Sequence, residues 1–546
     1  MIIDNPELVR LLRSKLRPAK MALLAAIGLF VYGGLLVLFY LVDTDFGRTP
    51  MKNAADMFHN YFFWVTGIQW VGVGMLGLML AAQNVALERE RSTLDFQRLV
   101  GMGPWRLAAG KLFGGPAEAF FVAAVGTLFA GISIMGGGVS FSVFVQTQVC
   151  LFVFCMLTSA FGLLCSSVTE KTANALGLAV LIPVIYGIVA SAVVGRDGLT
   201  ILSTSNSLRV LTVLYQSSSP GFHLPVETEF SFFGLQVPML VGYVLVNMLL
   251  AWVCFVTTAR RLASEEFSYI SLRHSVIAFV LVEMILIGGV VSEVPGKTVI
   301  GFGHPGLAAF HAGNFCLLIA LAFGLSPNAE LFRGRLYRAN RDEHWKVVLE
   351  RGNKLQDASP MAALLLFSLA YAVIACVVAI FEGRTELANY LVIAMNCGVG
   401  LTLASGLVYL HIYMEKSSFR AAMGLLILAL IFPPLIIAVV SSWQHTVLVS
   451  PIVYIAMLGE LIDSPNKAIS YSNLTVPTVL WSCPMICGVL GVLSFILAAM
   501  RIRFLLDLHE QQRKAEAEAD RKADAKLSPS TAAARLLAST PANREA

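Results

Sequence analysis

Long apolar runs separated by short charged segments set the pattern of this chain. A helix needs roughly 20 predominantly apolar residues to cross a bilayer. About twelve runs suit that length, centred near 21–42, 61–82, 112–136, 141–165, 173–194, 236–257, 275–292, 306–325, 361–381, 389–411, 421–441 and 476–500. The pattern predicts an all-α, polytopic integral membrane protein with about twelve transmembrane helices. A further apolar segment, 447–463, is short, is bounded by Pro451 and ends in Glu460 and Asp463, which suits a re-entrant segment as well as a span.

The charged segments orient these runs, because cytoplasmic loops carry an excess of Lys and Arg. Arg10, Arg13, Lys15, Arg17 and Lys20 precede the first run and place the amino terminus in the cytoplasm. Alternation then puts inside the loops holding Arg89 to Lys111, Lys171, Arg260 to Arg273, Arg333 to Lys354 and Lys416 to Arg420, with the tail from Arg501. The outer loops hold far fewer cations. The expectation is an even number of spans, both termini cytoplasmic, and a multi-pass location in the inner or plasma membrane. No cleavable signal peptide is expected, since the first twenty residues are charged and the following apolar run is too long for one.

Composition points the same way. Of 546 residues, 57% are hydrophobic and 13% charged, against about a quarter charged in soluble proteins, and mean hydropathy is +0.75. The lipid bilayer is therefore the expected solvent, and no nucleic-acid partner is expected. All nine cysteines lie in apolar stretches and read as small core residues. Cys483 and Cys487 sit one turn apart but have no His, Asp or Glu nearby, so no metal site is expected.

The segment Ala81 to Pro116, AAQNVALERERSTLDFQRLVGMGPWRLAAGKLFGGP, is a charged island between two apolar runs. Glu88, Arg89, Glu90 and Arg91 stop the run that ends near Ala82, since charges are costly inside a bilayer. Ser92, Thr93, Leu94 and Asp95 have the capping-box pattern that starts a new helix. In that helix Arg91, Asp95 and Arg98 fall on one face and Phe96, Leu99 and Val100 on another. Gly101, Gly103 and Pro104 break it, and Trp105, Arg106 and Lys111 mark the return to the membrane surface. Spacing alone favours an ordinary solvated loop with a capped interfacial helix.

The run E-R-E-R-S-T-L-D, then G-P-W, then G-K-L resembles the cytoplasmic loop of type-2 permeases of ATP-binding-cassette (ABC) exporters. Those loops usually carry Gly where this chain has Ser92 and Glu where it has Asp95. The resemblance implies a coupling helix that docks on a separate ATPase subunit, with Glu88, Arg89, Glu90, Arg91, Ser92, Thr93, Leu94, Asp95, Pro104, Trp105 and Lys111 as its residues. ATP and Mg would be bound by that partner and no cofactor by this chain.

Upstream, Asn5-Pro6-Glu7-Leu8 opens a helix with a capping Asn, a Pro at the first helical position and an acid near the positive dipole end. Leu8, Leu12 and Leu16 line one face and Arg10, Arg13 and Arg17 another, which suits an interfacial helix. The run resembles the amino-terminal interfacial helix that flanks the ATPase site in the same permeases. A basic anchor that only fixes topology is the alternative.

In the second run, Gly67, Gly72, Gly74 and Gly77 favour a helix-packing seam over a translocation path, and Gln69 should face protein or a wet cavity. In the seventh, Glu283 is an intramembrane acid, either a proton relay or substrate contact, or a carboxyl hydrogen-bonded to a neighbouring helix. Between Gly195 and about Gln236, a Ser-, Pro- and Gly-rich outer loop is too short for a domain; the family resemblance implies short re-entrant helices there. Pro295-Gly296-Lys297-Thr298 is not a phosphate-binding loop, because Val291 stands where Gly is needed and the segment is placed outside. ATP-driven work would thus need a partner.

Asn328-Ala329-Glu330-Leu331-Phe332-Arg333 echoes Asn5 to Arg10, and Glu415-Lys416-Ser417-Ser418-Phe419 echoes Glu90 to Leu94, at offsets of 323 and 325. A degenerate second half with a second coupling loop is expected. The resulting division is 1–20, an interfacial helix; 21–265, a first permease module with its coupling loop at 83–111; 266–327, two linking helices; 328–500, the second half; and 501–546, a charged tail. The tail reads as a helical run to about Lys526 followed by a disordered stretch.

These features imply a permease subunit of an ATP-driven exporter that is not itself an enzyme, paired with an ATPase and acting as one copy or two. A proton-coupled secondary transporter using Glu283 is the runner-up. A polytopic membrane enzyme ranks below it, because Asp43, Asp45, Asp56, His59, His223, Glu227, Glu229 and Glu293 are scattered along the chain. The string of apolar residues does not identify the substrate.

Overall fold

The computed structural model describes residues 5–44, 54–99, 102–169, 171–180, 229–232, 235–263, 270–290, 305–325, 360–381, 387–413 and 476–525. In the first part of the chain these form α1 (Pro6–Lys15), α2 (Pro18–Asp43), α3 (Ala54–Glu90), α4 (Thr93–Leu99), α5 (Pro104–Gly114), α6 (Ala117–Met135) and α7 (Phe141–Val168). A short antiparallel hairpin follows, β1 (Glu229–Phe232) with β2 (Leu235–Pro238), Phe232 opposite Leu235, and leads into α8 (Met239–Ala263). The later helices are α9 (Leu272–Val290), α10 (Pro305–Leu325), α11 (Pro360–Phe381), α12 (Leu387–Tyr413) and α13 (Val476–Ala525).

Six helices among the described residues are long and apolar enough to cross a membrane: α2, α3, α6, α7, α8 and Ala363–Ile380 of α11. Shorter apolar stretches, Gly313–Ala322, Tyr390–Leu403 and Cys483–Ala498, occupy three further runs. The chain is thus mostly helical and fits a multi-pass membrane protein, while the expected count of about twelve is not reached among the described residues. The segments 421–441 and 447–463, Pro295 to Thr298, and both members of the second-half echo, including Glu415, Lys416, Ser417 and Ser418, lie outside the described residues.

The surface of the first helices explains why they need lipid. Leu23, Phe30, Val37, Trp64, Leu128 and Phe152 are all exposed, which water would penalise and hydrocarbon does not. Inward, α3 lies along α7 through Ala81, Val85, Ala160 and Leu163, and α8 adds Ala251 and Cys254. Small residues at this contact let the backbones come close, which is how membrane helices gain packing energy without a hydrophobic driving force.

Both α2 and α3 widen into a single π turn, at Leu29–Gly33 and Gln69–Val73. Each faces α6: Tyr32 lies 5.9 Å from the Phe129 ring, and Gln69 Nε2 donates to the Ala123 carbonyl at 3.0 Å. Gln69 is fully buried and links α3 to α6. The glycines divide. Gly77 packs against Ser159 and Ala119, whereas Gly67 and Gly72 line an open apolar groove with Phe63, Trp64 and Val71.

At the far end, the last apolar run and the charged tail are not two elements. They form one helix, α13, of 50 residues, about 75 Å long at 1.5 Å per residue. Its polar part carries i, i+4 pairs, Glu510 with Lys514 and Glu518 with Lys522, the spacing at which helical charges meet.

Candidate functional site

The polar end of the first helix group is built around the contact of α1 with α5. Asn5 caps α1 as the sequence predicts, its Oδ1 accepting from the Glu7 and Leu8 amides at 3.1 and 3.4 Å. The same side chain donates through Nδ2 to the Arg106 carbonyl at 2.6 Å, joining the start of α1 to α5. The face of α1 that packs is Glu7 with Leu11, not the Leu8, Leu12 and Leu16 stripe. The reason lies on α5, where Gly110 and Gly114 present bare backbone. A Cβ at Gly110 would sit 2.9 Å from Glu7 Cβ, and one at Gly114 would sit 2.7 Å from Leu11 Cβ. The glycines select the side of α1 that comes down.

That approach brings four charges together. Glu7 accepts two hydrogen bonds from Arg10 at 2.8 Å each and one from Lys111 Nζ at 3.0 Å. Glu88 accepts from Arg10 at 2.7 Å and, through its other oxygen, from Lys111. Lys111 is fully buried and Glu7 almost so. A lone buried ammonium would cost several kcal/mol, so two carboxylates must meet it. Burial alone would raise the Glu7 carboxyl, but its hydrogen bond to Arg10 and the nearby Lys111 charge prevail and hold it below the ordinary carboxylate range. Beside this cluster Glu118, also buried, accepts from Lys20 at 2.7 Å and lies 3.6 Å from Lys15.

The rest of the charged island fastens the end of α3 to the end of α7. Arg89 donates to the Thr169 and Ser167 carbonyls at 2.6 and 3.2 Å, and Glu90 accepts from the Thr172 amide at 2.7 Å. Arg91 is exposed at the C-terminal cap of α3. A new helix begins at Thr93 as expected, but the capping box does not form in the expected way. Ser92 has φ of 55°, a left-handed turn rather than the extended backbone of an N-cap. The Thr93 hydroxyl instead donates back to the Glu88 carbonyl at 3.2 Å. Left-handed backbone favours glycine, so Ser92 sits there at a steric cost.

Leu94 is buried in the same core as Val85, Leu107, Leu163, Ala251 and Leu262, and α4 packs chiefly on α3. Its neighbours Phe96 and Leu99 point outward, 68% and 85% exposed. Of the expected apolar face, Phe96 and Leu99 are turned outward, while Val100 and the side chains of Asp95 and Arg98 lie outside the described residues. Asp95 lies within the same helix. Pro104 is the first residue of α5, where its missing amide costs nothing. Trp105 is half-exposed, 5.7 Å from the Phe255 ring and 6.5 Å from His274.

A second polar cluster lies within the later helices. Glu283 on α9 is 3% exposed; the Asn314 side-chain amide approaches it, and among the described residues neither carboxylate oxygen has a well-formed hydrogen bond. Around it are side chains that sequence reasoning did not single out: His311 and Asn314 on α10, Ser368 and Tyr371 on α11, and Asn396 on α12, all buried. They are sparse polar residues in apolar runs. The one available signal was the His-x-x-Asn spacing on α10, which puts both on one helix face. Six of the nine cysteines are buried, Cys376 and Cys397 are partly so and Cys316 is exposed, and all are unbridged.

No protein-family model, curated protein or solved structure matches the chain.

Proposed function

We propose that this chain is the membrane-spanning permease subunit of an ATP-driven transporter, an exporter of the ABC type-2 class. Its elbow, α4 with the start of α5, takes the push of a separate ATPase subunit from the cytoplasmic side. The observation that carries the reading is the split character of α4. Leu94 anchors it in the core shared by α3, α5, α7 and α8, while Phe96 and Leu99 stand exposed. Exposed apolar groups on a short, rigidly held helix at the charged end of a membrane bundle suit a docking knob better than a solvated loop. Displacement of α4 would move α3, which runs from Ala54 to Glu90 without a break, and α1 would follow through Glu7, Lys111 and Glu88. Hydrolysis, with its Mg and nucleotide, belongs to the partner; this chain makes and breaks no bonds.

The test is capture of the tagged chain from native membranes, with identification of a nucleotide-binding subunit and measurement of its ATPase activity. Phe96→Asp with Leu99→Asp should release that subunit or uncouple its hydrolysis, and Glu90→Ala with Thr93→Ala should weaken coupling. A Leu99→Cys variant should react with a membrane-impermeant thiol reagent only from the cytosolic side. Capture without a nucleotide-binding subunit, or labelling of Leu99→Cys from outside, would overturn the proposal.

A further inference from the structure

Four helices direct polar side chains into one apolar interior. Phe279 and Leu286, which flank Glu283 on α9 at helical spacing, share a single core with Phe310 of α10, Phe367 of α11 and Ile393 of α12. Within it, the hydrogen bonds can be followed donor by donor. Asn396 Nδ2 donates to the His311 carbonyl at 3.1 Å and to the Tyr371 hydroxyl at 3.0 Å. Tyr371, having accepted that bond, gives its own proton to His311 Nδ1 at 2.7 Å. His311 is therefore the neutral tautomer that carries its hydrogen on Nε2. Asn314 Nδ2 donates to the Phe310 carbonyl at 3.1 Å. Because both amide nitrogens face carbonyls, the orientation of each asparagine is fixed and its Oδ1 is the atom left over.

The atoms without partners are then unequal in kind. On the acceptor side stand Asn314 Oδ1, Asn396 Oδ1 and both Glu283 oxygens, which the Asn314 amide approaches without a well-formed bond; the Ser368 hydroxyl is also unpartnered, and the donor is His311 Nε2–H. Buried polar groups in native proteins are as a rule satisfied, and an excess of oxygen acceptors calls for positive charge. The described parts of α10, α11 and α12 contain no Lys or Arg, and Arg273 of α9 stands ten positions before Glu283, roughly 15 Å along the helix. The charge must therefore come from outside these helices. One carboxylate balances one unit of it, and carboxylate, amide and hydroxyl oxygens suit a hard cation.

We propose that Glu283, Asn314, Asn396 and Ser368, with the Tyr371–His311 pair behind them, form an intramembrane site for one monovalent cation, a proton or a sodium ion, with Glu283 as counter-charge. The site uses helices other than those of the elbow and does not depend on the docking reading. Ionisable groups inside a membrane commonly mark ion paths, and transporters place such sites where helices meet near the bilayer centre. Among the described residues the titratable groups facing or near this core are His311 and Cys316 on α10, Tyr371 and Cys376 on α11, Tyr390 and Cys397 on α12, and Cys483 and Cys487 on α13, which packs on α12; His311 and Tyr371 are the pair linked to the site by hydrogen bonds.

The experiment uses the full chain, purified in detergent with whatever subunit accompanies it. Thermal unfolding is followed while sodium chloride replaces choline chloride at constant ionic strength. For a sodium site, the midpoint should rise with sodium and saturate, Glu283→Gln should abolish the rise, and Asn314→Ala should shift the half-effective sodium concentration upward at least tenfold. For a proton site, sodium should do nothing. Infrared difference spectra taken across a pH series in sodium-free buffer should then show a protonated-carboxyl band that titrates, is lost in Glu283→Gln and moves its midpoint in His311→Gln. The wild-type sodium response and the His311→Gln shift keep the test decisive if Glu283→Gln folds poorly. Absence of both a sodium response and a titrating carboxyl band in the wild type, leaving a structural polar knot only, would overturn the proposal.

Discussion

The protein holds two buried polar clusters that treat their charges in opposite ways. At the elbow, Lys111 is wholly buried yet meets two carboxylates, and Glu7 and Glu88 are shared with Arg10. In the later helices Glu283 is also buried, and among the described residues neither of its oxygens has an ion pair or a well-formed hydrogen bond, only the nearby Asn314 amide. A network with every member matched resists rearrangement, because breaking any pair strands a charge. A network with acceptors to spare has chemical room for something else. The first is suited to carrying force between elements and the second to holding a ligand.

The strongest way to break this contrast is to remove the central cation of the first cluster. Lys111→Met should destabilise the protein by about 3–5 kcal/mol, the usual cost of leaving one half of a buried ion pair, seen as a lower denaturation midpoint in detergent. Adding Glu7→Gln and Glu88→Gln should recover most of that loss, because Arg10 is half-exposed and can turn to water. Glu283→Gln, measured in choline buffer, should cause no comparable loss, since it has no ion pair to break. A large loss there would mean that the second cluster is as fully matched as the first.

Next in size is the glycine seam that lets the first cluster assemble. Gly110→Val should cost about 1–3 kcal/mol, the range for overpacking a tight contact, because even a Cβ there comes within 2.9 Å of Glu7. The same change should loosen α1, measurable as faster proteolysis between α1 and α2. Equal protection in both proteins would show that α1 is held by the ion pairs alone.

The elbow was partly legible in the sequence. Asn5, Pro6 and Glu7 announced the start of α1, and Glu88 to Arg91 announced the end of α3, because capping and charge exclusion are local effects. What could not be read was that Glu7 and Lys111, 104 positions apart, form one site. Glu7 looked like a partner of the helix dipole, and the leucine stripe of α1 looked like its packing face. The outcome was decided by glycine positions on another helix, which periodicity along α1 does not contain. The second cluster was less legible still: Glu283 stood out by its charge, but His311, Tyr371 and Asn396 are single polar residues in separate apolar runs, and only packing collects them. The loop from Gly195 ends in the hairpin β1–β2 where short re-entrant helices were expected, because local alternation suits strands there, while the rest of that loop and the repeat echo lie outside the described residues.

Acid offers a gentler probe of the first cluster. Glu7 titrates below its ordinary value near 4.5 when folded, so its contribution is fully present above about pH 5 and is lost as the pH falls through the folded value. From about pH 5 downward, wild-type stability should fall more steeply than that of Glu7→Gln, which lacks this contribution at every pH. Parallel curves would show that Glu7 gains nothing from its partners.

The smallest expected effect tests whether the elbow is rigid by backbone as well as by charge. Ser92 sits at φ of 55°, where a non-glycine residue meets a steric penalty of roughly 1–2 kcal/mol. Glycine would relieve it but would also give the unfolded chain more freedom, which offsets part of the gain. Ser92→Gly should therefore raise stability by no more than about 1 kcal/mol, while Ser92→Val, β-branched and stiff at χ1, should lower it. If both substitutions lowered stability, the Ser92 hydroxyl would have to make an interaction worth more than the strain. The turn between α3 and α4 would then be held by its side chain, and the rigidity assigned to the elbow would rest on that residue as well as on Leu94 and the ion pairs.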